Sequence, residues 1–169
     1  MIEIEPITEA GVTHFKAIRL RALKDSPGAF GSTYAWEAQL TPAGWMERIE
    51  RWSNGWGMGY LAMDKGNPCG IAGCLLNDDP TSAQLISMWV APTHRKRGVG
   101  RLLVEQVIGW ARACGAHRLH LSETGRNKTA IRFCTRLGFA FTGNTIPYPN
   151  DPTEIEREME LMVADSTGM

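Results

Sequence analysis

Residues 87–101 read SMWVAPTHRKRGVGR. An apolar run meets four cations (Arg95, Lys96, Arg97, Arg101) and two glycines (Gly98, Gly100), and a helical pattern, RLLVEQV, follows. Where a strand feeds a helix in this way, the first backbone N–H groups of the helix lack internal partners and the helix dipole is positive. Glycine lets that backbone approach a bulky anion, and arginine and lysine add charge-assisted bonds. The stretch therefore predicts a cradle for a polyphosphate. Neither familiar nucleotide signature is present: there is no G-x-x-x-x-G-K-[ST], and G-x-G-x-x-G fails because Leu103 stands where the third glycine belongs. The simpler alternative is a solvated basic loop with a capping glycine. Strand, glycine pair and amphipathic helix in succession favour the cradle.

Nothing elsewhere in the chain extends this basic cluster. Eighteen Lys and Arg balance eighteen Asp and Glu, so any attraction for anions is local and no global field favours nucleic acid or a membrane surface. The 169 residues, 43% hydrophobic and 21% charged, predict one globular domain spanning 1–169. No apolar stretch is long enough to span a bilayer, and the acidic start MIEIEPITEA does not read as a signal peptide. Cys69, Cys74, Cys114 and Cys134 show no zinc-like C-x2-C spacing. These features predict a cytoplasmic protein with free thiols and no bound metal.

Working outward from the opening stretch, IEIEPI alternates like a first strand. Apolar positions from Thr8 to about Leu23 fit a helix with Thr8 as N-cap, and DSPGAFGSTY breaks it. Thr41-Pro42 opens a second helix running to about Trp52. YLAMD and GIAGCLLN form a hairpin, and AQLISMWV, apolar on both faces, is a central strand. Leu103, Val107, Trp110, Ala111 and Cys114 make one stripe of the next helix, closed by Gly115. RLHLSE is a strand, and Ala130, Phe133, Cys134 and Leu137 mark a further helix ending at Gly138. AFTGNT and EREMELMV are the last strands, with IPYPNDPTE between them as a proline-rich loop. This order predicts an α/β fold with a mixed sheet and helices on its faces.

The two motifs together resemble the GNAT N-acetyltransferase family. Arg95 to Gly100 is similar to that family's R-x-x-G-x-G loop, and NKTAIRFCTRLGF (127–139) to its second signature, N-x-x-A-x-x-[LF]-Y-x-[KR]-x-G-F. The resemblance implies a mostly antiparallel central sheet of about seven strands with helices on both faces. It implies acetyl-CoA as the acetyl donor and direct attack by a primary amine of a small molecule or peptide. Backbone groups of Trp89 and Val90 are then expected to meet the pantetheine arm, with an N–H near Val90 stabilising the oxyanion. Lys96, Arg97, Gly98, Val99, Gly100 and Arg101, with the Arg95 side chain, are expected to hold the pyrophosphate. Asn127 is expected to bond the pantetheine, and Ala130 and Phe133 to pack along it.

Two departures bear on catalysis. The signature tyrosine that can protonate the leaving thiolate is replaced by Cys134, whose apolar spacing favours packing over proton donation. A Glu that some relatives carry early in the fourth strand is replaced by Gln84, which leaves Glu123 and Glu37 as the carboxylates able to serve as base. Strand alternation puts Glu123 on the face of Leu119 and Leu121. The aromatic segments STYAWE to NGWGMGY, with IPYPNDP, are expected to line the acceptor site. The departures also motivate an alternative, a non-catalytic acyl-CoA-binding or sensing module of the same fold. A homodimer is left open.

Overall fold

A computed structural model describes residues 1–27, 30–149 and 151–164. Gly28, Ala29 and Asn150, which fall in two of the expected loops, lie outside the described residues. Seven strands form one sheet: β1 (Ile2–Pro6), β2 (Gly57–Asp64), β3 (Asn67–Leu76), β4 (Ser82–Val90), β5 (Arg118–Thr124), β6 (Ala140–Tyr148) and β7 (Asp151–Met162). Their order is β1-β2-β3-β4-β5-β7-β6, and every neighbouring pair is antiparallel except β4–β5. The α/β class and the mixed, mostly antiparallel sheet are those expected.

Alternation along the strands sorts the core into two layers. Leu61, Met63, Ile71 and Trp89 pack with Phe15 and Ile18 of α1 (Val12–Asp25) and with Trp45 and Ile49 of α3 (Pro42–Glu50). Ala62, Ala72, Cys74 and Leu119 pack with Leu103 and Val107 of α4 (Val99–Ala113) and with Cys134 of α5 (Lys128–Arg136). Thr41 caps α3 as expected, its hydroxyl accepting from the Gly44 N–H at 3.1 Å. Among the described residues no helix is long and apolar enough to cross a membrane.

Three expectations need correction. Helix α1 begins at Val12, after a 3₁₀ turn over Glu9–Gly11, and the Thr8 side chain makes no capping bond. A four-residue helix, α2 (Tyr34–Glu37), interrupts the stretch before α3, held by the Thr33 hydroxyl on the Trp36 N–H. The proline-rich stretch is mostly strand, for Pro147 pairs with Ile155 and Tyr148 with Asp151. β6 is the edge of the sheet, where a missing N–H costs no ladder bond.

Two irregularities in β4 shape the site. Between the pairs Ile71–Trp89 and Gly73–Ile86, Ser87 and Met88 stand opposite the single residue Ala72, and Ser87 takes a φ of 58°. This is a bulge. On the other edge, β4 pairs with β5 only through Ser82, Ala83 and Gln84, whereas β5 stays paired with β7 as far as Thr124. The backbone from Leu85 to Val90 therefore has no β5 neighbour.

The Trp52 ring lies across Gly59 and Gly73, which face each other in β2 and β3; a Cβ on either glycine would sit within 3 Å of the ring. Gly109 of α4 instead faces open space. Gly73→Ala should therefore lose about 1–3 kcal/mol of stability, whereas Gly109→Ala should gain about 0.5–1 kcal/mol. Urea unfolding of the two variants should give opposite signs.

Candidate active site

The strand-to-helix junction around Gly98 has the backbone that the glycine pair suggests. β4 ends at Val90, a 3₁₀ turn spans Pro92–His94, and Lys96 and Gly98 both take left-handed backbone angles, φ 62° and 81°. Gly98 is the N-cap of α4 and offers no side-chain cap, so the first N–H groups of a 15-residue helix are without one. A Cβ at Gly98 would enter open space, while one at Gly100 would meet the Phe133 ring at 2.9 Å. The α4 terminus and α5 thus approach closely because Gly100 has no side chain. Lys96, Arg97 and Arg101 are exposed and make no hydrogen bond or ion pair among the described residues. Val99 is buried and anchors the helix start.

Arg95 behaves differently from its neighbours. Its Nε donates to the Val90 carbonyl at 2.9 Å and its Nη2 to Asp25 Oδ2 at 2.8 Å. The same Asp25 oxygen accepts from the Ser26 hydroxyl and from Trp89 Nε1, and these bonds hold the carboxyl below its ordinary range. The Arg95 guanidinium is therefore tied to the end of α1, and the Trp89 indole points into the α1 layer, which leaves only its backbone to the β4 edge. His94, in the same loop, pairs with Asp64 at 2.8 Å.

The structure separates the two candidate carboxylates. Glu37 has no solvent exposure and is gripped by Arg19 through two bonds, 2.9 and 3.0 Å, with Arg48 at 3.3 Å. Burial alone would raise its carboxyl; the Arg19 bonds and charge, helped by Ser32 and Arg48, keep it below the ordinary value. A carboxylate so held is a poor proton acceptor, which favours a structural role for Glu37 over that of a base. Arg19 reaches on to the Ser87 hydroxyl at 3.0 Å, so Glu37 supports the β4 bulge instead.

Glu123 is half-buried at the end of β5, and burial raises its carboxyl to about 7. An Asn127 hydrogen bond at 3.2 Å opposes that rise and the charge of Glu156 adds to it. A carboxylate with a value near neutrality can both take and release a proton. Cys134 lies in the core beneath it, its thiol pushed up to about 12 by burial and then by Glu123. Donating a proton from there to a thiolate of ordinary pKa, about 8.5, would be uphill by roughly 5 kcal/mol. The placement agrees with the packing role that its apolar spacing favours over proton donation.

Beside this group lies a cavity of about 300 Å³. Ser26 at the end of α1 forms one wall, Thr124, Arg126 and Asn127 a second, and Tyr148, Asp151 and Glu154 of the β6–β7 hairpin the third. Of the aromatic residues expected around the acceptor, Tyr148 lines it; Trp45 and Trp52 are core residues, and Trp36 and Trp56 are exposed. Ala130 and Phe133 are half-buried on α5, on the side of the helix shared with Cys134. Sequence reasoning missed Asp25, Arg19 and Ser87. A signal existed for Arg19, the one charge at helical spacing among Phe15, Ile18, Ala22 and Leu23.

Residues 21–139 match the acetyltransferase (GNAT) family. The chain belongs to that family. It is 46% identical over 54 residues to a streptothricin acetyltransferase of Streptomyces lavendulae, a match taking in 32% of this chain and 29% of that one. The fold is shared with an acetyltransferase of the GNAT family from Streptococcus pneumoniae (TM-score 0.78, 20% identity, 96% of this chain and 99% of that one). It is also shared with spermidine N-acetyltransferase from Vibrio cholerae, solved with CoA and spermine (TM-score 0.74, 13% identity, 95% of each chain).

The raised Glu123 carboxyl makes stability depend on pH. Between its ordinary value and about 7 the folded chain keeps a proton that the unfolded chain has released, so stability falls as pH rises through this window. Glu123→Gln cannot ionise and escapes the loss. It should be more stable than the parent at pH 8 by about 1–2 kcal/mol, after allowance for solvent screening, and nearly equal to it at pH 4.5. Denaturant titrations at the two pH values check the sign.

Proposed function

We propose that this protein is an acetyl-CoA-dependent N-acetyltransferase that acts on a primary amine of a small molecule or peptide. The observation that carries the reading is the unpaired edge of β4 running directly into the uncapped start of α4. A free strand edge presents peptide groups that can pair with the amides of the pantetheine arm. The N–H groups at the start of α4, which have no side-chain cap, suit the pyrophosphate that follows, with the cations of Lys96, Arg97 and Arg101. The residues present therefore fit the donor, with Arg95 available to it only if the Asp25 bond gives way.

Acetyl-CoA, when bound, supplies an acetyl thioester. The chain's own contribution is to orient the acceptor, to provide N–H groups near Val90 for a developing oxyanion, and to remove the amine proton. Glu123 takes that last role, directly or through a water, because its proton affinity lies close to neutrality and its partner Asn127 and neighbour Thr124 line the cavity. That cavity is the acceptor site. No side-chain acid is needed for the leaving thiolate, because a thiolate of pKa about 8.5 is a good leaving group and can take its proton from water.

A thiol-release assay with acetyl-CoA and a panel of primary amines tests the proposal. Turnover should rise with pH along a limb centred near 7, and Glu123→Gln should lower it by roughly 10²-fold or more and erase the limb. Tight coenzyme A binding without turnover on any amine would favour a sensing module over an enzyme.

A further inference from the structure

We infer that Asn127 is a positioning residue for Glu123: one side-chain amide caps α5 through its oxygen and holds the carboxylate through its nitrogen. This rests on the reading of Glu123 as the base.

The geometry runs through both ends of the amide. The Asn127 carbonyl oxygen accepts from the Ala130 N–H at 3.3 Å, and Nδ2 donates to Glu123 Oε2 at 3.2 Å. Flipping the amide would set its oxygen against a carboxylate and its NH2 against a helix N–H, so the two contacts fix one orientation. Aspartate caps helices as well as asparagine does but, when ionised, has no donor for a carboxylate; a serine or threonine hydroxyl can accept and donate, but through one oxygen on a shorter side chain rather than through two separate atoms. The Glu123 contact therefore favours an amide over a carboxylate at this cap.

The surroundings give the amide weight. From β7, Glu156 repels Glu123, while Arg157, opposite it in register, stacks its guanidinium on Phe141 at 3.8 Å. From α5, Cys134 is an uncharged thiol, and in the intervening loop Arg126 pairs with Glu154. Among the described residues, Asn127 is the one hydrogen-bond donor to the Glu123 carboxylate. The amide favours the charged form, so its loss should raise the pH at which Glu123 gives up its proton.

The test is the pH dependence of kcat, at saturating acetyl-CoA and amine, for the parent, Asn127→Ser and Asn127→Asp. Both variants keep a capping side chain, and thermal melts confirm that α5 stays folded. The acidic limb should move upward by roughly one pH unit in Asn127→Ser and further in Asn127→Asp, which sets a like charge beside Glu123. A carbon-13 titration of the Glu123 carboxyl should move in the same order, and it serves for a variant that has lost activity. A higher KM for acetyl-CoA with limb and carboxyl titration both unmoved would overturn the inference and leave Asn127 as a residue for the pantetheine arm. The Glu123→Gln variant separates the two levels: a limb that persists there overturns the base assignment itself.

Discussion

The short pairing between β4 and β5 is the constraint on which the rest of the site depends. The strands share three residues, then β5 continues beside β7 while β4 loses its neighbour. An unpaired edge inside a sheet is costly to leave to water or to chance partners. Here the edge leads straight to the start of α4, whose first N–H groups lack a cap. Two sets of unmet donors therefore lie end to end, and a long molecule with amides at one end and phosphates at the other satisfies both. The bulge at Ser87 bends β4 away from regular pairing and is itself held by Arg19.

Charge is distributed with equal economy. The chain is neutral overall, yet three cations beside the start of α4 make no ion pair among the described residues, whereas Arg19, Arg48 and Arg95 are spent on Glu37 and Asp25. Removing Glu37 would strand a buried arginine, so that pair is a structural commitment beneath the bulge. Glu123 is the opposite case: a half-buried carboxylate with one amide donor and no cation among the described residues. One fold thus favours the ionised form of one acid and holds another near its titration point.

Much of this was legible in the chain. The glycine pair after SMWV located the cradle, and apolar stripes of period 3.6 located α4 and α5, because each of these signals is local. Glu37 and Glu123 could not be told apart, since the difference lies in Arg19, eighteen residues from one and far from the other in sequence. Arg95 looked like its neighbours, and only the fold shows Asp25 within its reach. The IPYPNDPTE stretch read as loop because proline breaks ladders; that it forms the end of the β6–β7 hairpin, beyond the last β5–β7 pair, is a property of the sheet order. The bulge at Ser87 had no local signal, for serine is not a residue that advertises a positive φ.

On the proposed reading, the open edge of β4 and the start of α4 together hold the donor, and amide hydrogen exchange with and without coenzyme A measures this directly. Ligand should slow exchange at residues 86–90 and 97–101 together, with β1 and the β6 edge unaffected. Protection confined to other strands, or saturating coenzyme A with no change at either segment, would contradict it.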